Sequence, residues 1–269
     1  MGPLAGGGAM KIIDLAPEHE ELFLKCLEDW SPEMAEAGDR KRTWLEKMRS
    51  RGLDVKLAMD DRGVVGGMIQ SVPIEHGHAL GKDLQFILCI WVHGYKQGRG
   101  NFQKRGMGTA LLAAAEEEAK KRGKKGMAAW GIGLPFWMRA SWFKKHGYKV
   151  ADKNSMAILL WKPFSADAAP PAWFKPKKRP GGVPGEVTVT AFRDGWCQAQ
   201  NLSVERARRA VAECGERVVF REIDTSDRTA LEEWGMPSAL FIDDREVNTG
   251  PPPSYEKIKK LIAKRVKKL

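Results

Sequence analysis

Gln103-Lys104-Arg105-Gly106-Met107-Gly108-Thr109-Ala110 lies between a strongly apolar stretch, residues 84–92, and a long helical pattern over residues 108–122. Glycines at 106 and 108 let the backbone approach a ligand closely. The unpaired N–H groups of a helix start, reinforced by the macrodipole, favour an anion such as a pyrophosphate. Taken alone, the same octapeptide is equally a glycine-rich helix entry with a solvated basic face. Its meaning therefore depends on the elements around it.

Working outward, residues 11–15 read as a short strand, and 17–30 and 32–51 as helices with Pro17 and Pro32 at first helical positions. Residues 55–59 and 64–72 form a hairpin across Asp60-Asp61-Arg62-Gly63, and the apolar run 84–92 suits the centre of a sheet. Beyond the glycine loop come a strand at 126–132, a helix at 135–146 and a closing strand at 156–161. This order gives an α/β domain with a mixed sheet, not a doubly wound parallel one. A Pro/Gly/Lys-rich stretch then reads as a semi-rigid linker. The expected division is residues 1–9 as an expression remnant, 10–164 as the first domain, 165–185 as the linker and 186–269 as a second, smaller domain.

The loop resembles the Q/R-x-x-G-x-G/A acyl-CoA signature of the GNAT superfamily of N-acyltransferases, with Gln103, Gly106 and Gly108 at the signature positions. The resemblance extends over residues 11–162 and includes Ala140-Ser141-Trp142-Phe143-Lys144-Lys145-His146-Gly147-Tyr148, similar to the family's A-x-x-Y-x-x-x-G-F segment. It implies that Gln103, Lys104, Arg105, Gly106, Met107, Gly108 and Thr109 hold the CoA pyrophosphate. Ile90, Trp91 and Val92 would pair with the pantetheine arm. The implied reaction is direct acetyl transfer from acetyl-CoA to an amine, on a small molecule or a protein. Two family groups are replaced: Phe143 stands where many members carry an acidic tyrosine, and Gln85 where some carry a glutamate base.

The remaining candidates for proton transfer are Glu75, His76, His78, Asp83 and His93, near strand ends, with histidine suited to work near neutral pH. Glu75-His76-Gly77-His78 is also readable as a solvated hairpin loop. His-x-His lacks an identifiable third ligand, so no metal site is expected. The insertion between Val92 and Gln103 reads as an acceptor lid or a mobile basic loop. Pro135-Phe136-Trp137-Met138 reads as part of an aromatic acceptor pocket.

In the second domain the order strand, helix, strand, helix, hairpin, helix resembles a thioredoxin-like fold, similar to the C-terminal modules of YoaP-like proteins. Trp196-Cys197 opens its first helix, and Met236-Pro237 precedes a strand, with the proline expected in cis. A thiol at a helix N-terminus gains thiolate character, which marks Cys197 as a possible reactive thiol. Gln200 occupies the place of a resolving cysteine, so dithiol chemistry is not expected.

Composition bounds these readings. With 43% hydrophobic and 29% charged residues the chain builds packed cores, and a net charge of +11 suits anionic partners, from a phosphorylated cofactor to RNA. No apolar run approaches the ~20 residues of a membrane span. The four cysteines, Cys26, Cys89, Cys197 and Cys214, are widely spaced, which fits a cytoplasmic protein. The alternative to an acetyltransferase is a CoA-binding or RNA/anion-binding protein that has lost catalytic groups.

Overall fold

The computed structural model describes residues 10–134, 137–247 and 250–269. The elements in chain order are β1 (Lys11–Asp14), α1 (Glu20–Leu24), α2 (Pro32–Glu36), α3 (Arg40–Arg49), β2 (Asp54–Met59), β3 (Val65–Pro73), β4 (Ala79–Leu80), β5 (Leu84–Val92), α4 (Met107–Lys121), β6 (Gly126–Ile132), α5 (Ala140–Lys145), β7 (Lys149–Asn154), β8 (Ala157–Pro163) and β9 (Ala172–Trp173). They continue as β10 (Val187–Arg193), α6 (Gln198–Ala212), β11 (Val218–Asp224), α7 (Arg228–Trp234), β12 (Ala239–Ile242), β13 (Arg245–Glu246) and α8 (Tyr255–Val266).

Two compact units form, and they are not sequential. The chain up to Trp30 together with Met48–Trp173 makes the first, and Ser31–Lys47 joins Phe174–Leu269 in the second. In the first unit a seven-stranded sheet has the order β1-β2-β3-β5-β6-β8-β7. All neighbours are antiparallel except β5 and β6. The run Leu84–Cys89 of β5 is buried because the strand lies at the centre of the sheet, as its apolar sequence requires. Met107, Leu111, Leu112, Ala115 and Ala119 recur at helical spacing on α4 and pack with Ile69, Ile87 and Ala129 of the sheet. Lys120 and Lys121 sit in its last turn, favourable to the helix dipole.

The second unit has a four-stranded sheet, order β11-β10-β12-β13, with β10 and β11 parallel and the other pairs antiparallel. Val187, Val189 and Ala191 of β10 pack with Val204, Ala207 and Val211 of α6 and with Ile258 and Ile262 of α8. The segment carrying α2 and the start of α3 is bound into this unit by charge. Arg206 donates to Glu33 at 2.8 Å, to Glu36 at 3.1 Å and to the carbonyl of Pro253 at 3.2 Å. Arg40 pairs with Glu205 at 3.1 Å and Glu222 at 3.4 Å. The Gln198 amide donates to the carbonyls of Met34 and Gly38 at 2.9 and 3.2 Å.

Several expectations change. The helix read over 17–30 ends at Leu24, followed by left-handed Cys26 and Leu27. The helix read over 32–51 breaks into α2 and α3 at Gly38, whose φ of 73° ends a helix without strain. Strand β7 has no apolar signal because it is the sheet edge, with mostly exposed or half-buried side chains. Of the helix read over 135–146, Ala140–Lys145 is helical, and Pro135 and Phe136 lie outside the described residues, as do residues 1–9. The stretch read as a linker is tied down: β9 pairs with β4, Phe174 lies beneath Arg228, and Lys178 sits 4.1 Å from the Trp234 ring centre. Pro237 is trans, since no cis peptide occurs among the described residues, and its carbonyl accepts from the Thr225 hydroxyl.

Candidate functional site

The glycine loop stands where β5 gives way to α4. Lys104 and Gly106 both have positive φ, 62° and 82°, which turns the chain abruptly into the helix. Gly106 is the cap residue and no side chain caps the helix, so the N–H groups of Met107, Gly108 and Thr109 lack intrahelical partners. A Cβ at Gly106 would meet nothing within 4 Å, so this backbone faces open space. Around it, Gln103 N–H donates to Asn101 at 2.9 Å, and the Arg105 guanidinium lies 5.2 Å from the Phe102 ring centre. Residues 103–106 are exposed.

The sheet opens beside this loop. The parallel pairing of β5 with β6 runs from Leu84↔Gly126 only to Ile87↔Ala129, although β5 continues to Val92 and β6 to Ile132. At the parting point β5 carries an extra residue, because Gln70↔Cys89 is followed by Ser71↔Ile87 and Leu88 has no counterpart on β3. Such a bulge bends a strand and re-aims its groups. The Trp130 indole occupies the Leu88 carbonyl at 2.8 Å. Beyond it, Ile90, Trp91 and Val92 present a half-buried strand edge toward the gap, suited to an extended ligand.

The candidate proton-transfer residues are not brought together. Glu75, His76, His78 and Asp83 lie at the start of β5, by the register Pro73↔Gln85, whereas the glycine loop follows its end. Nine residue steps along the strand separate Asp83 from Val92, about 30 Å. Burial holds the His78 imidazole down to about 4, so it stays neutral at ordinary pH, and its ring lies 5.9 Å from that of Phe86. Asp83 faces Lys125 at 3.8 Å. His93 does reach the loop end but is fully buried and used for structure. Its Nδ1 donates to the Gly100 carbonyl at 2.7 Å, and its Nε2 accepts from the Trp30 indole at 3.2 Å. With Phe102 N–H donating to the His93 carbonyl, His93 closes the 94–101 insertion on itself. Gln85 is likewise committed, its amide donating to the Ser71 hydroxyl at 3.1 Å.

Phe143 is fully buried in the α4 core cluster, its ring 5.4 Å from that of Tyr148. Tyr148 is itself buried, and burial raises its phenol well above the ordinary range. Position 143 is therefore a packing position and not an open acid slot. We expect Phe143→Tyr to lower stability by about 1–3 kcal/mol, the cost of a buried hydroxyl without a partner, and to give no rate gain. Thermal melts together with turnover numbers check this.

Sequence reasoning missed His146 and Trp142 as neighbours of the loop. His146 Nδ1 donates to the Trp142 carbonyl at 2.9 Å and its Nε2 accepts from the Thr109 hydroxyl at 3.0 Å, while the two rings lie 4.1 Å apart. The pair fixes Thr109 at the first turn of α4. Their signal was present in the 140–148 segment, read there only as a fold marker.

In the second unit Cys197 caps α6 but is only 9% exposed. Gln198 beside it is bound to the α2 segment, and a Cβ on Gly195 would stand 3.0 Å from that of Trp44. The thiol is shielded, which opposes the expectation of ready reactivity. Burial pushes the Asp194 carboxyl up to about 7, against hydrogen bonds from Trp196 and the nearby Arg193 charge. A carboxyl raised in the folded state contributes stability that is present below its unfolded value near 3.8 and is lost as pH rises through 7. Stability of this unit should therefore fall between about pH 4 and 7, and Asp194→Asn should flatten that slope in denaturant titrations.

The model of the Acetyltransferase (GNAT) family matches residues 16–148. That stretch, just under half of the chain, is similar to the acyltransferases of this family. Solved structures similar to the chain include the PaiA N-acetyltransferase of Thermoplasma acidophilum in complex with coenzyme A, at 18% identity and TM-score 0.42 over 58% of this chain and 99% of that one. Another is a GNAT family acetyltransferase of Brucella melitensis in complex with acetyl-CoA, at 17% identity and TM-score 0.39 over 61% and 96%. A third is the GNAT family N-acetyltransferase YhbS of Escherichia coli in complex with CoA, at 13% identity and TM-score 0.43 over 62% and 87%. The comparison with curated proteins returns no match. Among the described residues no helix is long and apolar enough to cross a membrane.

Proposed function

We propose that the chain transfers an acetyl group directly from acetyl-CoA to an amine, with the pyrophosphate on Lys104–Thr109 and the pantetheine arm along Ile90–Val92. The observation that carries this is the coincidence of two openings: the uncapped start of α4 and the gap where β5 parts from β6 after Ile87 and Ala129. The first offers N–H groups to an anion, the second a strand edge to an extended arm. A neutral amine attacks the thioester carbonyl, the C–N bond forms, the C–S bond breaks, and the CoA thiolate leaves. Unpaired N–H groups on the β5 edge would stabilise the developing oxyanion. Since Phe143 cannot donate, the thiolate takes its proton from solvent.

The second unit has the βαβαββα order and the sheet order of a thioredoxin-like module, which supports that reading. Its role here is to dock the α2 segment rather than to run thiol chemistry, and a cytoplasmic location belongs to the same reading. A second reading, a CoA-binding protein without transferase activity, draws on the buried Phe143 and the commitment of His93. Calorimetric titration with acetyl-CoA, followed by detection of released CoA thiol across a panel of amines, separates them. Binding with thiol release is expected; binding without release under every amine favours the second reading, and absence of binding overturns both.

A further inference from the structure

At the middle of β3, Gln70 is fully buried, and neither its amide nitrogen nor its amide oxygen has a hydrogen-bond partner. Trp91 on β5 also buries an indole N–H without a partner. The register pairs Gln70 with Cys89 and Met68 with Trp91, so the two orphaned groups are diagonal neighbours, about 7–8 Å apart at the backbone. Between them in sequence, Ile69 and Ile90 oppose each other and pack on the α4 cluster. Strand alternation therefore puts Gln70 and Trp91 on the face turned away from α4.

Their position along the strand bears on the reaction. The start of α4 abuts the end of β5, since a Cβ on Gly108 would stand 3.8 Å from the Val92 side chain. An arm entering from that end runs back along Val92, Trp91 and Ile90, and the gap closes at Ile87 and Ala129. Its reacting end therefore comes to Leu88 and Cys89, the row to which Gln70 belongs. The rest of that row and the next, Val55, Leu57 and Met68, is apolar. A leucine or methionine at position 70 would pack there without stranding polar atoms, which is costly for a buried amide. A ligand that supplies the missing partners accounts for the glutamine.

We propose that Gln70 and Trp91 bind the acceptor, and that the acceptor is a monoamine with an apolar body and a neutral carbonyl group, of the amino-acid amide or peptide N-terminus class. This rests on the acetyl-transfer reading above. Gln70 Oε1 accepts from the attacking amine N–H, while Gln70 Nε2 and Trp91 Nε1 donate to the acceptor carbonyl. On attack the N–C bond to the acetyl group forms, the C–S bond breaks, the amine nitrogen loses one proton to solvent and the CoA thiolate gains one. A polyamine has no carbonyl for the two donors, and these rows hold no carboxylate to match its charges.

The test compares L-phenylalaninamide, L-phenylalanine and spermidine as acceptors by CoA thiol release, in the full chain and in Gln70→Leu, Gln70→Met and Trp91→Phe. Phenylalaninamide is expected to be preferred. Gln70→Leu should lower its kcat/KM at least tenfold, mainly through KM, with unchanged calorimetric affinity for acetyl-CoA and no fall in melting temperature; Trp91→Phe should act in the same direction. If the leucine variant melts early, the unbranched methionine variant gives the same reading. Unchanged kcat/KM in the Gln70 and Trp91 variants, or preference for spermidine, overturns the assignment. So does CoA binding with no turnover of phenylalaninamide, whereas loss of CoA binding in the parent chain overturns the acetyl-transfer reading instead.

Discussion

Replacing Gly106 by valine lowers affinity for acetyl-CoA at least 100-fold, about 2.7 kcal/mol, while the chain remains folded. Two properties of the position produce this. Its φ of 82° lies in the left-handed region, where an L side chain costs about 1–2 kcal/mol and a β-branched one more. The variant relieves that strain by rotating the backbone, which turns the N–H groups of Met107, Gly108 and Thr109 away from their common target. In addition, a Cβ would project into open space, so the fold meets no clash but an approaching pyrophosphate does. Gly108→Ala is the control. Its Cβ would make ordinary contact with Trp142 at 3.4 Å and Val92 at 3.8 Å, inside a helix that gains about 1 kcal/mol from alanine. Less than a tenfold loss is expected there. Calorimetry on both variants checks the contrast, and equal affinities for Gly106→Val and the parent would sink the phosphate-loop assignment.

What the sequence made legible follows from where local rules and tertiary context agree. Residues 84–92 and 126–132 read correctly to the residue because a central strand is apolar throughout and needs no partner information. The glycine loop was legible because positive φ and close approach demand glycine itself. The breaking of the helix read over 32–51 at Gly38, and its transfer to the other unit, were not legible. Arg206 lies 173 and 170 positions from Glu33 and Glu36, and the three look like ordinary surface charges until the fold pairs them. The same holds for His93, whose two ring partners lie 63 positions before and 7 after it, so its type suggested a base where its contacts make a staple. Gln70 gave no signal at all: a single glutamine in an apolar strand becomes informative only when its register and its lack of partners are known.

Arg206→Met destabilises the second unit by about 2–4 kcal/mol, below the full value for a buried charge pair because Glu33 is largely exposed. The arginine side chain is itself 9% exposed, and its guanidinium is shared among Glu33, Glu36 and the Pro253 carbonyl. Methionine fills the same volume but leaves the Pro253 carbonyl unpaired and removes the link to α2. Arg206→Lys is expected to restore only part of the loss, since one ammonium cannot span a planar fork of three partners. A fall of roughly 10 °C in the melting of this unit is expected for methionine. Trypsin gives the local readout, because Arg40, Lys41 and Arg42 lie in the segment that Arg206 holds, and cleavage there should accelerate as α2 detaches. Acetyl-CoA affinity should stay unchanged, since the glycine loop belongs to the first unit. Melting and tryptic resistance equal to those of the parent chain would show that the α2 segment is held by its apolar contacts and by Arg40 instead, with Arg206 contributing no more than an ordinary surface charge.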